Sequence, residues 1–146
     1  MVAITAIALP LSMTPATAQS TTTAPNKTSQ PAAENYRIGP LTQAIENDPN
    51  NINLYNSRGW YYFTDGTYEK TITDYTRVIE LGVEQLDAVY QPAVYYVRGM
   101  AYGQLGNNTL AIQDLTIAAE IYETQGNEAG VQEVRALIAQ LEQEEQ

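Results

Sequence analysis

The sequence predicts an all-α protein, a right-handed superhelical stack of antiparallel helix pairs with about six helices. Three observations predict this fold. A segment of about 25 residues recurs 40 positions later along the chain, as repeat architectures require. Apolar residues recur at helical spacing, and glycines mark the points where one helix gives way to the next. The chain has 146 residues, which is enough for one such domain.

The composition excludes several classes of function. The chain has no Cys and no His, which rules out thiolate nucleophiles, Ser-His-Asp triads and the common zinc sites. We therefore predict no catalytic residue, no metal site and no cofactor. The net charge of −10 at pH 7 opposes binding to nucleic acid and to anionic membranes.

Residues 1–18 have the features of a secretory signal peptide. An apolar run, Val2 to Leu11, precedes Ala16-Thr17-Ala18, which has the small-x-small form of a cleavage site. The run is shorter than the roughly 18 residues that a transmembrane helix needs, so the mature chain is not expected to insert stably into a membrane. We expect export to a periplasm, a thylakoid lumen or the outside medium.

The predicted signal lacks one feature, because no basic residue precedes its apolar run. Either the true start lies upstream, or the segment is a flexible apolar tail and the protein is cytoplasmic. Residues 19–34 are rich in Ser, Thr, Pro, Ala and Gln, which predicts a disordered linker. The folded domain is predicted over residues 35–146.

The predicted helices follow from residue 35 onward. Leu41, Ala44 and Ile45, closed by Pro49, predict one helix that stands as half a unit before the first full pair. Two full helix pairs come next. The positions of the first pair are Tyr55, Arg58, Gly59, Tyr62, Gly66, Ile72, Asp74 and Ile79, and they recur in the second as Tyr95, Arg98, Gly99, Tyr102, Gly106, Ile112, Asp114 and Ala119.

Turn signals divide these pairs. Gly66 and Gly106 predict the sharp reversal within each pair, where a residue with positive φ is easiest to place. Pro92 suits the first turn of the second pair, since its missing N–H is harmless there. A closing helix with a polar outer face is predicted after Gly126, from apolar positions at Val131, Val134, Ile138 and Leu141.

This pattern resembles the tetratricopeptide repeat family, whose unit reads W-x2-L-G-x2-Y, then A-x3-F, then P over about 34 residues. The matching segments are Tyr55-x2-Arg58-Gly59-x2-Tyr62 with Thr71-x3-Tyr75, and Tyr95-x2-Arg98-Gly99-x2-Tyr102 with Ala111-x3-Leu115. Six extra residues, expected within 82–91, separate the two copies relative to the family period. The resemblance covers about residues 35–124 and implies an α-solenoid that binds protein partners.

Two structural roles are predicted from the shared positions. A Gly inside a helix costs about 1 kcal/mol relative to Ala, so Gly59 and Gly99 predict points where two helices cross too closely for a side chain. The large side chains expected to fill the space between paired helices are Tyr55, Tyr62 and Tyr75, with their counterparts Tyr95, Tyr102 and Leu115.

Salt bridges are predicted within both pairs. Arg58 and Asp74 are 16 residues apart, and so are Arg98 and Asp114, which brings each pair of side chains to similar height on antiparallel helices. The role expected for these four residues is structural. The alternative is that the two Arg side chains bind a carboxylate ligand.

The predicted binding surface is the concave side of the stack, which the resemblance implies is lined by the first helix of each pair. Its outward positions are Asn53, Asn56, Trp60, Phe63 and Thr64 in the first pair, and Ala93, Tyr96, Met100, Gly103 and Gln104 in the second. Large aromatics and Met carry binding energy in protein interfaces. We expect a protein or peptide partner here; alternatively, Trp60 and Phe63 pack against the preceding half unit or the linker.

The groove differs from that of family members that capture a carboxy-terminal carboxylate with Lys, Arg and Asn. The corresponding positions hold Asn56, Trp60 and Ala93, so the resemblance implies a groove that recognises apolar or aromatic groups instead.

Other functions stay open at this point. Exposed helix faces of one chain could continue the stack of another, which would make the protein a homo-oligomer. A hydrolase built on paired carboxylates needs no His, and Asp65 with Glu69 or Asp74 with Glu80 are the candidates. Residues 78–146 carry eleven acidic and two basic side chains, which indicates a solvated outer face or a docking patch for a basic partner.

Overall fold

The protein is described by a computed structural model covering residues 31–144, which consist of helices and turns. The helices are α1 (Pro31–Asn47), α2 (Ile52–Thr64), α3 (Tyr68–Leu81), α4 (Gln91–Gln104), α5 (Asn108–Thr124) and α6 (Glu128–Glu144), with a short 3₁₀ helix at Val83–Gln85. Each α-helix packs mainly against its neighbours in sequence, and α2 also touches α4. The predicted all-α solenoid with six helices is therefore confirmed.

The amino-terminal predictions fall largely outside this range. The signal peptide predicted over 1–18 and most of the linker predicted over 19–34 lie outside the described residues. Helix α1 begins at Pro31, so the predicted boundary between linker and domain at residue 34 falls inside this helix. None of the helices within residues 31–144 combines the length and the apolar character that crossing a membrane requires.

Three helices end in the same way. Gly66, Gly106 and Gly126 have φ values of 73°, 76° and 68°, which side chains other than Gly rarely adopt. After α2, the N–H of Thr67 donates to the carbonyl of Tyr62 at 2.8 Å, and equivalent bonds follow α4 and α5. This is the Schellman arrangement, which satisfies the last carbonyls of a helix and reverses the chain sharply.

The insertion between the two units is part of the core. It contains the 3₁₀ helix, and its Val83 and Leu86 are buried with exposed fractions of 9% and 4%. They join a cluster that also contains Ile52, Tyr75, Val78, Val94 and Val97. The extra residues therefore fill space between α3 and α4, and Tyr90 follows them as the residue that caps α4.

The two helix crossings lie at the predicted glycines. A Cβ atom at Gly59 would lie 3.1 Å from Cε2 of Tyr75, and one at Gly99 would lie 3.1 Å from both the carbonyl oxygen of Ala111 and Cγ of Leu115. Real Cβ atoms rarely come so close. Glycine at these positions lets α2 approach α3, and α4 approach α5, closely at these two points.

Candidate functional site

The first helix pair is held by a buried ion pair. Arg58 on α2 donates through Nε and Nη2 to the two carboxylate oxygens of Asp74 on α3, at 2.8 and 2.7 Å. Its third nitrogen, Nη1, donates to Thr42 Oγ1 on α1 at 3.1 Å. The hydrogen bond to Asp74 raises the pKa of Arg58. One guanidinium group therefore connects three helices.

The second helix pair repeats this arrangement. Arg98 donates to both oxygens of Asp114 at 2.7 and 2.8 Å, and its Nη1 donates to Thr76 Oγ1 on the preceding helix α3 at 3.1 Å. Burial lowers the pKa of Arg98, but the hydrogen bond and charge of Asp114 outweigh it and raise the pKa. All three nitrogens of each Arg are engaged, so the geometry gives no support to a carboxylate ligand at these residues.

An open cavity lies on the other side of α2, between α2 and α4. It has a volume of about 470 Å³, within the range typical of ligand sites. We call it the first cavity, and its lining residues are Asn53, Asn56, Ser57, Trp60, Tyr75, Tyr90, Ala93 and Val97. Trp60 and Tyr90 are about half exposed, with fractions of 49% and 50%.

Polar groups of the first cavity are available for a ligand. On α2, the hydrogen-bonding side chains Tyr55 and Arg58 engage protein acceptors away from the cavity. Within residues 31–144, no hydrogen bond joins the side chain of Asn53, Asn56 or Ser57 to another residue. Two amides and a hydroxyl in a groove between helices can bind the backbone or polar groups of a ligand.

The floor of the first cavity is Tyr75, which has an exposed fraction of only 2%. Its ring reaches this side of the helix pair because it lies against Gly59, where no side chain intervenes. Burial, together with the charge of Asp74, raises the pKa of the Tyr75 hydroxyl. Tyr75 therefore stays neutral at ordinary pH.

The equivalent space in the second unit is a smaller cavity of about 140 Å³. We call it the second cavity, and it is lined by Gly99, Met100, Gly103, Gln104, Leu115, Leu137, Gln140 and Leu141. Helix α6 supplies the last three of these residues and narrows the space. Nearby, the hydroxyl of Tyr96 donates to Glu133 on α6 at 2.8 Å. Burial and this hydrogen bond raise the pKa of Tyr96 to about 12.

The residues predicted to line one groove therefore divide into three sets. Asn53, Asn56 and Trp60 line the first cavity, together with Ala93. Met100 and Gln104 line the second cavity, together with Gly103, while Tyr96 is bonded to α6. Phe63 and Thr64 line neither cavity. The ring of Phe63 stacks on Trp60 at 6.0 Å and meets Tyr68 edge-on, and the hydroxyl of Thr64 donates to the carbonyl of Tyr61.

Sequence reasoning missed four residues of the first cavity. Ser57, Tyr75, Tyr90 and Val97 line it but were not among the predicted groove positions. Tyr90 lies at the end of the insertion, and the residue 40 positions before it is Asn50, so a comparison of the two repeats could not reveal it. The sequence predicted Tyr75 in the space between paired helices. Gly59 was the signal that could have placed it in the cavity, because a position without a side chain leaves room for the Tyr75 ring to reach the other side of α2.

The carboxylates that were candidates for a hydrolase are either paired with an Arg or exposed on the surface. Both oxygens of Asp74 accept hydrogen bonds from Arg58, and Glu80 forms an exposed ion pair with Arg77. Asp65 and Glu69 lie on the surface at the turn between α2 and α3. Asp74 and Glu80 both line an open cavity of about 490 Å³, but each of these carboxylates is already paired with an Arg that lines the same cavity, Arg58 or Arg77.

The comparisons with known proteins agree with this architecture. Two family models described as tetratricopeptide repeat match residues 41–73 and 92–125. Among solved structures, the fold is similar to that of the N-terminal domain of stress-induced protein-1 (STI-1) from C. elegans, with a TM-score of 0.55 and 20% sequence identity. That similarity covers 71% of this chain and 93% of the other chain. No curated protein matches the sequence.

Proposed function

Since the chain belongs to the tetratricopeptide repeat family, whose members are generally non-catalytic protein-binding modules, we propose that it holds a peptide or protein segment in the first cavity. The observation that supports the proposal is that this cavity is open and lined by side chains that are available for contact. It is open, its aromatic wall residue Trp60 is half exposed, and polar side chains of α2 around it have no partner within residues 31–144.

The physical basis of binding would be burial of the indole. A large aromatic side chain that becomes desolvated in an interface contributes on the order of 2 kcal/mol or more. The rigid helices hold the indole and the amides of Asn53 and Asn56 in place, so little conformational entropy is lost on binding. Trp60 would therefore supply most of the binding free energy, and the amides of Asn53 and Asn56 would supply specificity.

The test is capture of partners from a native extract with the full chain as bait, compared with Trp60→Ala. We expect the variant to lose the captured partner while its helical circular dichroism stays the same, because Trp60 does not belong to the buried core. The matched control is Ile117→Ala, which removes an exposed apolar side chain on α5 that lines neither cavity. Equal capture by wild type and Trp60→Ala would refute binding at this cavity.

Export is the second part of the proposal. It rests on the apolar run and the Ala16-Thr17-Ala18 pattern, and a periplasm, a thylakoid lumen or the outside medium would all suit it. Sequencing the amino terminus of the protein from its native source tests it. A mature chain that begins at Gln19 supports export, and an intact start would count against it.

A further inference from the structure

We propose that the segment bound in the first cavity is uncharged and proline-rich, and that it binds in the extended polyproline II conformation. This inference rests on the proposed function, because it names the chemistry of the partner at the same site. Three properties of the cavity carry it: the absence of charge in its lining, its two aromatic walls, and its supply of hydrogen-bond donors.

The lining of the first cavity is neutral. The chain has 7 basic and 17 acidic residues, yet none of the eight residues that line the cavity carries a charge. A charged side chain of a ligand would lose its water there without gaining a counter-charge, which costs free energy. The lining therefore selects against acidic and basic segments alike.

Two aromatic rings border the cavity from different elements. Trp60 lies on α2, and Tyr90 caps α4 at the end of the insertion. Both are about half exposed, so each has apolar ring surface that a compact, rigid group can cover. Proline rings are such groups, and segments in polyproline II conformation bind to aromatic-lined grooves because they are already extended and lose little entropy.

The hydrogen-bonding groups of the cavity match a backbone rich in carbonyl oxygens. The indole N–H of Trp60 is a donor only, whereas the amides of Asn53 and Asn56 and the hydroxyl of Ser57 can both donate and accept. Proline has no N–H, so a proline-rich segment offers its carbonyl oxygens and brings few donors that would need an acceptor. An ordinary extended segment would bring an N–H at every residue.

The second unit shows which features belong to the first cavity alone. Met100 stands at the position of Trp60, and Leu115 stands at the position of Tyr75. Tyr96 replaces Asn56, and its hydroxyl is already bonded to Glu133. The second cavity therefore lacks the aromatic walls and is much smaller, at about 140 Å³ against about 470 Å³, so the first is the one suited to a proline-rich segment.

The experiment uses the full chain and its own fluorescence, because Trp60 is the single Trp of the sequence. The probe is a capped, uncharged synthetic peptide made of proline with a serine at every third position. Matched control peptides replace every proline by alanine, or introduce glutamate or lysine. We expect the proline peptide to change the emission of Trp60 in a saturable way, and every control peptide to bind at least about tenfold more weakly.

Variants identify the site. Tyr90→Ala and Asn56→Ala are expected to weaken binding of the proline peptide about tenfold each. Tyr36→Ala, the same change at an exposed tyrosine on α1 that does not line the cavity, should bind as the wild type does. Unchanged binding by both cavity variants would overturn the inference.

Other outcomes separate this inference from the proposed function. If the alanine peptide binds as tightly as the proline peptide, the polyproline inference is wrong, whereas peptide binding at the cavity stands. If a neutral glucan oligosaccharide saturates the Trp60 signal and no peptide does, both are overturned. If no probe alters the emission, the inference is overturned, and the capture experiment with Trp60→Ala still decides the proposed function.

Discussion

Arg58 and Arg98 each hold three helices together through one guanidinium group. Each Arg binds an Asp on the partner helix of its own pair and a Thr on the helix before it. The two Asp residues are buried, with exposed fractions of 2% and 4%. Because a buried charge needs a partner of opposite sign, each network fixes both the pairing within a unit and the packing on the preceding unit.

The spacing of 16 residues was sufficient to predict the Arg–Asp contacts, since antiparallel helices joined by a short turn bring such positions to equal height. The Thr contacts were not predicted. Thr42 and Thr76 lie on preceding helices, and the second is 22 residues from its Arg because the insertion comes between them. The helix angle that brings them within reach depends on packing between units, which no local spacing reveals.

The ion pair leads to a prediction about stability. Asp74→Ala leaves the Arg58 guanidinium, whose side chain is 15% exposed, without its counter-charge, and we expect a loss of about 3 kcal/mol in the free energy of unfolding. Urea unfolding followed by circular dichroism measures it. The control is Glu80→Ala, which breaks the exposed pair with Arg77 and should hardly move the midpoint. Equal midpoints for the two variants would show that the buried network does not stabilise the fold.

At the scale of single helices, local sequence signals predict most of the helices and where they end. Each helix carries its own apolar spacing, and Gly66, Gly106 and Gly126 end three of them with the same positive-φ turn. These signals act within a few residues, so they can be recognised without knowledge of the tertiary structure. The insertion was located correctly, but its short helix and the burial of Val83 were not predicted, because they depend on the gap between α3 and α4.

Helix α4 offers a comparison of two glycines within one element. A Cβ atom at Gly99 would lie 3.1 Å from the backbone carbonyl of Ala111, which cannot easily move. One at Gly103 would lie 3.6 Å from the nearest atom, a methyl group of Leu141, which is an ordinary contact. Alanine should therefore have opposite effects at the two positions, although both gain in helix propensity.

We expect Gly99→Ala to destabilise the protein by about 1 to 2 kcal/mol, because overpacking outweighs the gain in propensity. Gly103→Ala should stabilise it by up to about 1 kcal/mol. Chemical denaturation of both variants measures the difference, and each serves as the control for the other. If Gly99→Ala were as stable as Gly103→Ala, the close crossing of α4 and α5 would not be the reason for glycine at position 99.

At the scale of the whole molecule, α6 decides which part of the concave surface is open. Its Leu137 and Leu141 enter the space beside Met100 and Gly103, and its Glu133 accepts the hydrogen bond of Tyr96. The sequence predicted α6 as a closing helix, but not that it would cover the groove residues of the second unit. That outcome depends on how α6 packs on α5 and so places its side chains beside α4, which the spacing of residues within one helix does not reveal.

The same helix covers the carboxy-terminal end of the stack. Its buried Val134 packs into a cluster with Leu115, Ala118 and Ala119 of α5, while its outer positions are polar. Repeat proteins need such a terminal helix because the last apolar face would otherwise meet water. Helix α6 therefore covers the apolar face of α5.

Removing residues 127–146 should uncover the apolar face of α5, so we expect the shortened chain to self-associate and to unfold at lower denaturant than the full chain. Light scattering at matched concentration gives the average mass, and urea unfolding gives the stability. Val134→Asp tests the same point at full length, because a carboxylate cannot be accommodated at a position with no exposed surface. If both variants kept the mass and midpoint of the full chain, α6 would not be needed to cover α5, and the difference between the two cavities would need another cause.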